Sequence, residues 1–304
     1  MRLIFRYVAI NSYLLLCLAA AAQSSPSSKN FLKHAFEVLP VEARYDYHQT
    51  LKEEPVHQPG LNVGAPTAEN ELAISPAGWS LLLDADAGPL ARFSADDLRD
   101  FLNVSMGVSL PESTGLDGWK DRQQAIIAGT PAQLAGFGQT LKSSKDYEIR
   151  VEGDRIIVCG FDDAGVQHGL LNLEERLRLR EGPYLPKDLN TVRHSLYQTR
   201  AVISWLGWMQ WPDNFLAQLA HDGYDAIYAS VYANPNGVKG PPHYDIIRTQ
   251  KEGRLKDLIR RANARGIKVY CPILFANTGT PENEAELREL VRDIVTKFPE
   301  IHGY

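Results

Sequence analysis

Cysteine is scarce, with three in 304 residues. Cys17 falls in an amino-terminal apolar stretch, and Cys159 and Cys271 each lie in an apolar β-like run (RIIVCGF, IKVYCPIL) that we place in different domains. A disulfide framework is therefore not expected. Basic charge is not in excess either: 32 Lys and Arg stand against 37 Asp and Glu, a formal charge of −5. Such a field does not favour a nucleic-acid backbone or an anionic membrane surface. No apolar run beyond residue 22 reaches the roughly 18 to 20 residues of a spanning helix. The chain also lacks H-E-x-x-H, C-x-x-C, G-x-S-x-G and a glycine-rich phosphate loop. Zinc hydrolases, serine hydrolases and nucleotide enzymes carry these, so no metal and no cofactor is expected.

What is present is ordinary globular material, 44% hydrophobic and 23% charged. Arg2 and Arg6 precede the apolar run Tyr13 to Ala22 (YLLLCLAAAA), which offers A-x-A at Ala20 to Ala22. Residues 1–22 therefore read as a cleaved secretory signal, and a secreted or periplasmic protein without a membrane anchor is expected. The bulky Leu16 before Cys17 argues against lipidation. Residues 23–67, rich in Ser, Pro, His and Glu, read as a leader segment. Asn103-Val104-Ser105 is a glycosylation sequon, a triplet frequent by chance.

Residues 68–181 have the texture of a small α/β domain. Trp79 to Leu83 and Gln124 to Ala128 read as strands, with a helix between them from Ser94 as N-cap, Asp97 standing at the capping-box position. Asp146 to Val151 and Arg155 to Cys159 flank Glu152-Gly153-Asp154, which predicts a hairpin. Asp163 is placed to cap the next helix, whose Val166, Leu170, Leu173 and Leu177 form one buried stripe. Gly165 and Gly169 on that helix imply close packing on the sheet. Gly182-Pro183-Tyr184-Leu185-Pro186 breaks the pattern, and residues 182–196 read as a linker.

Residues 197–304 repeat strand then helix: strands at Thr199 to Trp205, Ala226 to Tyr232 and Ile267 to Leu274, helices at Pro212 to His221, Gly253 to Arg265 and from Pro281, and Ile301 to Tyr304 opening a fourth strand. Such units imply parallel strands in an open sheet or a (β/α)8 barrel. A barrel takes about 250 residues. The expected fold class is thus α/β, a small sandwich-like α+β support domain followed by the first three to four strands of a truncated barrel.

In such folds ligands meet the carboxyl ends of the strands. Those ends carry Trp205 and Trp208, then Tyr232 and Asn234, then Asn277. Aromatic faces stack on sugar C–H faces and amides serve hydroxyls, so the composition fits a neutral polyol site. Packing at the core or rim is the other reading of the Trp residues. Arg200 opens the first strand and needs a carboxylate or ligand oxygens. His243, in the long loop after the second strand, is a further candidate contact or a solvent-exposed ring. The substrate-binding candidates are Arg200, Trp205, Tyr232, Asn234, His243 and Asn277, and no catalytic carboxylate pair can be assigned.

The run Asp146 to Leu177 (DYEIRVEGDRIIVCGFDDAGVQHGLLNLEERL), with Gly165, His168 and Gly169 on its helix, resembles the small domain before the barrel of beta-hexosaminidases and alpha-glucuronidases. The resemblance covers about Trp79 to Tyr304. It implies that the small domain is a non-catalytic support and that Arg200 contacts a terminal sugar. Ala201 stands where hexosaminidases have glycine, and their His and paired Asp after the second strand are missing; Arg200 with Trp205 is closer to the alpha-glucuronidase spacing. The resemblance also implies a catalytic Glu at the far end of the fourth strand, beyond Tyr304. The expectation is an exported glycoside hydrolase acting on a terminal sugar of a glycan or oligosaccharide when complete, with this chain an inactive fragment. The alternatives are a non-catalytic sugar-binding or support module and an unrelated extracellular barrel hydrolase.

Overall fold

The computed structural model describes residues 55–59, 66–203, 211–229, 252–271 and 295–303, with 284–285, 288 and 291–292 besides. A six-stranded mixed sheet dominates, in the order β3-β2-β4-β6-β5-β8. Its strands are β2 (Ser80–Leu83), β3 (Glu112–Thr114), β4 (Ala125–Gly129), β5 (Tyr147–Glu152), β6 (Arg155–Gly160) and β8 (Asn190–Arg193). The first, second, third and fifth of these run parallel where they pair, while β5 is antiparallel to both β6 and β8. The period-two alternation of the central strands divides their side chains between two faces. Leu81, Leu83, Ile126, Ala128, Ile156 and Val158 pack under two helices, α1 (Pro89–Met106) and α2 (Asp163–Arg180). Leu82, Ile127, Ile157 and Cys159 face the other way, against Leu116, Trp119, Leu134, Phe137 and Leu141 of the connecting loops.

The hairpin forms as expected, with Glu152 opposite Arg155 and Gly153 at φ +63° in the turn. The predicted stripe of α2 is buried at Val166, Leu170, Leu173 and Leu177. Both caps differ from expectation. α1 starts at Pro89, five residues before Ser94, because proline is preformed for the first helical position; Ser94 is fully buried inside the helix. Asp162 caps α2 by accepting from the Gly165 N–H at 2.8 Å. Asp163 instead reaches across to accept from Leu90 and Ala91 at 3.0 and 3.1 Å, satisfying two open N–H groups at the start of α1. One Asp-Asp pair thus caps two helices.

The stretch 182–196, read as a linker, carries two strands. β7 (Tyr184–Pro186) pairs antiparallel with β1 (Glu71–Ala73), and β8 closes the edge of the large sheet. Both are short, and β8 has little buried apolar surface, so the hydrophobic pattern hides them.

The glycines of α2 allow a contact closer than any side chain permits. A Cβ on Gly165 would lie 2.4 Å from the Asp146 carbonyl oxygen, and one on Gly160 would lie 2.0 Å from the Val166 nitrogen. Backbone atoms cannot turn aside as a side chain can. Gly160→Ala should therefore destabilise the protein by about 3 kcal/mol, the upper end for overpacking. A urea midpoint within a few tenths molar of wild type would show that β6 and α2 can separate without cost.

A second core lies under three parallel strands in the order β9 (Ala201–Ile203), β10 (Ala226–Tyr228), β11 (Lys268–Tyr270). Two helices connect them, α3 (Asp213–His221) and α4 (Glu252–Asn263). Leu216 and Leu219 of α3 and Leu255, Leu258, Ile259 and Ala262 of α4 are buried there with Ile227, Ile267, Val269 and Cys271. Phe215 is partly buried and stacks on Trp211. Residues 302–303 extend the order: Gly303 bridges Tyr270 in parallel, His302 N–H donates to Val269 O at 3.0 Å, and Cys271 N–H donates to Gly303 O at 3.0 Å. Each strand is therefore the spatial neighbour of the one before it. Cys159 and Cys271 are free and buried, and burial pushes each thiol up to about 12.

Candidate functional site

Of the sequence-predicted site residues, Trp205, Tyr232, Asn234, His243 and Asn277 lie outside the described residues. Arg200 is described. It sits at the amino end of β9, exposed, with its guanidinium 5.0 Å from the centre of the Tyr224 ring. A Cβ on Gly223 would come within 2.8 Å of Arg200 Nη1, so the glycine gives the side chain room to lie there. This cation–π contact accounts for the charge without a ligand.

The amino ends of β9 and β10 meet at Asp225, a buried carboxylate. It accepts from the Arg200 N–H at 2.5 Å and from Lys145 Nζ at 2.7 Å. Lys145 also donates to the carbonyls of Tyr197 and Gln198, at 2.9 and 2.8 Å. One ammonium from the loop before β5 thus holds the chain that enters β9. His168 on α2 lies near this group. Burial, with Lys145 adding to it, pushes its pKa down to about 4 and keeps the ring neutral.

A denser cluster of titratable groups gathers where four segments meet. His57 comes from residues 55–59, Asp97 and Asp100 from α1, Glu174 from α2 and His221 from the last position of α3. One ligand-type atom from each of His57, Asp97, Glu174 and His221 lies within 4.8 Å of the other three. His221 Nε2 is 2.9 Å from Asp97 Oδ2 and 3.1 Å from Glu174 Oε1; His57 Nε2 is 3.5 Å from Glu174 Oε1 and 3.7 Å from Asp97 Oδ1. The outer nitrogens are fixed. His57 Nδ1 lies 2.8 Å from Asp100 Oδ2 and His221 Nδ1 lies 2.8 Å from Ala217 O. Carbonyls and carboxylates only accept, so Nδ1 carries the proton in both rings and Nε2 is turned inward.

The electrostatics of the cluster follow from burial opposed by charge. Burial, the largest influence on His221, disfavours the imidazolium, but the adjacent Asp97 and Glu174 outweigh it and raise the pKa to about 11. His57 is raised in the same way, burial being overcome by Glu174, Asp100 and Asp97. Glu174 is lowered: burial would raise it, and the two histidines reverse this. Nevertheless His57 Nε2, Asp97 Oδ2, Glu174 Oε2 and His221 Nε2 are buried atoms without a hydrogen-bond partner among the described residues. Sequence reading missed this cluster because its members are spread over 165 positions with no local spacing. The one local signal was Asp97 and Asp100 at i and i+3, which the capping-box reading of Asp97 absorbed.

No family model matches this sequence, and no curated protein matches it. Solved structures do show likeness. A GH138 enzyme targeting pectin rhamnogalacturonan II is similar over 74% of this chain and 38% of its own, with a TM-score of 0.53 at 13% identity. A family GH115 4-O-methyl-alpha-glucuronidase with specificity for decorated arabinogalactans is similar over 77% and 36%, with a TM-score of 0.54 at 12% identity. The beta-N-acetylhexosaminidase from Bacteroides fragilis NCTC 9343 is similar over 77% and 53%, with a TM-score of 0.50 at 14% identity. The chain spans about 36 to 53% of the length of these structures. At such identities the likeness is one of fold, and that fold is the mixed α/β architecture of glycoside-hydrolase domains.

Proposed function

We propose that this is an exported, glycoside-hydrolase-like protein that engages a terminal sugar. In this reading, β9, β10, β11 and residues 302–303 are the opening of a (β/α)8 barrel, and the six-stranded sheet with α1 and α2 is its support domain. The observation that carries the proposal is strand order: four consecutive parallel segments, each beside its predecessor. A singly wound order of this kind supports a barrel opening, in which each strand follows its predecessor around the axis, although one half of a doubly wound sheet shares it up to the switch point. The likeness to three carbohydrate-active structures supports the same reading.

The sugar site then belongs at the carboxyl ends of these strands, where Trp205, Tyr232, Asn234 and Asn277 follow in sequence and His243 stands in the second connecting loop. Trp205 would supply the stacking face and the amides would serve ring hydroxyls. Arg200 is not carried into this site, since its described contacts lie at the amino end. The test is binding to oligosaccharides ending in N-acetylhexosamine, glucuronic acid or the sugars of pectin and arabinogalactan, read by calorimetry. At least one should bind, and Trp205→Ala should weaken it about tenfold or more, about 1.4 kcal/mol. Failure of the whole set to bind, or binding indifferent to Trp205, would remove the site from these strand ends.

A further inference from the structure

We propose that His57, Asp97, Glu174 and His221 bind one divalent transition-metal ion of the zinc class, fastening residues 55–59 and α3 onto the α1–α2 pair. One inward atom from each residue gives an N2O2 set whose members lie within 4.8 Å of one another. Glu174 Oε1 is 3.1 and 3.5 Å from the two Nε2 atoms, and the two Asp97 oxygens lie 2.9 Å from His221 Nε2 and 3.7 Å from His57 Nε2, close to the ligand spacing of about 3.3 Å set by zinc bonds of about 2.0 to 2.1 Å in a tetrahedron. Two imidazoles with two carboxylates suit zinc and its neighbours, whereas calcium and magnesium prefer oxygen alone.

Two features separate this group from an incidental charge network. First, His57 and Glu174 expose only 7% and 3% of their surface, and Glu174 Oε2 and His57 Nε2 are buried without a hydrogen-bond partner among the described residues. Unmet polar atoms at that depth are costly. Secondly, each ring donates its outer N–H, to Asp100 or to Ala217 O, which is how protein imidazoles are oriented for a metal. Four protein ligands, two of them buried, leave no open coordination position, so the ion is structural. It would tie together segments from three helices and the leader that no disulfide links.

The experiment uses the full chain. The protein is dialysed against a chelator and then against zinc, cobalt(II) or magnesium, and metal content, visible absorption and thermal unfolding are measured. About one zinc per chain is expected, with a melting temperature several degrees above the chelated protein and no effect of magnesium. Cobalt should give the visible bands of a four-coordinate N/O site without the near-ultraviolet band of a thiolate, which separates this site from Cys159 and Cys271. His57→Gln with His221→Gln should abolish stoichiometric binding. Asp100→Asn changes a mostly exposed side chain whose carboxylate meets His57 Nδ1 at 2.8 Å, and should weaken binding about tenfold while leaving the fold intact. A chain that takes up no zinc and melts unchanged overturns the proposal, as does a thiolate band or binding that survives the double histidine substitution; the cluster is then an ion-pair network. Metal content is read without any sugar, so this result stands apart from the carbohydrate proposal.

Discussion

Asp146→Ala is expected to destabilise the protein by about 3 to 5 kcal/mol, the cost of removing one member of a buried ionic network. The carboxylate is wholly buried and has no spare capacity. Oδ2 accepts from the Lys142 and Ser143 N–H groups at 2.9 and 3.2 Å and faces His194 Nδ1 at 2.8 Å. Oδ1 accepts from the Ser195 N–H at 2.9 Å and the Ser143 hydroxyl at 3.2 Å. Alanine would strand these donors, some without water to replace the lost acceptor. It would also loosen a join, because Ser143 precedes β5 and Ser195 follows β8, so one side chain ties the start of β5 to the end of β8 where Tyr147 pairs with Arg193.

The same carboxylate makes a pH prediction. Burial alone would raise its pKa, but His194 and the Lys142, Ser195 and Ser143 N–H groups outweigh burial and hold it well below the ordinary value of 3.8. A carboxylate with a depressed native pKa contributes its full stabilisation above the unfolded value and loses it as pH falls toward the native one. The stability gap between wild type and Asp146→Asn should be constant above about pH 5 and close progressively below about pH 4. Urea midpoints at a series of pH values measure it; a gap that does not narrow in acid would mean that the charge is not what these donors bind.

Long periodic segments were legible in the sequence. The stripe on α2, the 153–154 turn and the Leu255–Ala262 face of α4 all follow from apolar spacing, because burial of those side chains is what forms the element. β1, β7 and β8 were not legible, since strands of three or four residues gain their stability from pairing partners more than 100 positions away or from the far edge of a sheet. Caps were half legible. The Asp162-Asp163 pair announces a helix start, but which residue caps which helix depends on where α1 ends up. The His57–His221 cluster shows the limit most plainly: each histidine alone is ordinary, and only the packing of both residues 55–59 and α3 against α1 and α2 brings the rings to 5.7 Å.

Lys145→Met is expected to cost about 3 to 5 kcal/mol, and Asp225→Asn about the same, while the double substitution should cost clearly less than their sum. Lys145 and Asp225 are both nearly buried, 12% and 8% exposed at the side chain, with Nζ 2.7 Å from Oδ2. Removing the lysine leaves Asp225 with the Arg200 N–H as its remaining donor and leaves the carbonyls of Tyr197 and Gln198 without theirs. Removing the carboxylate leaves an ammonium facing two carbonyl dipoles. In the double variant neither charge is buried, so the desolvation term disappears from both sides of the balance. The backbone adds a second argument. Lys145 has φ +72°, a left-handed conformation that a side chain other than glycine adopts at a cost of about 1 kcal/mol. Lys145→Gly should recover that strain and still be less stable than wild type by about 2 to 4 kcal/mol, because the ammonium bridge outweighs it. Urea unfolding of the four variants closes the cycle. A coupling energy below about 0.5 kcal/mol would mean that Lys145 and Asp225 act independently. A Lys145→Gly variant as stable as wild type would mean that the chain entering β9 needs no ammonium to hold it.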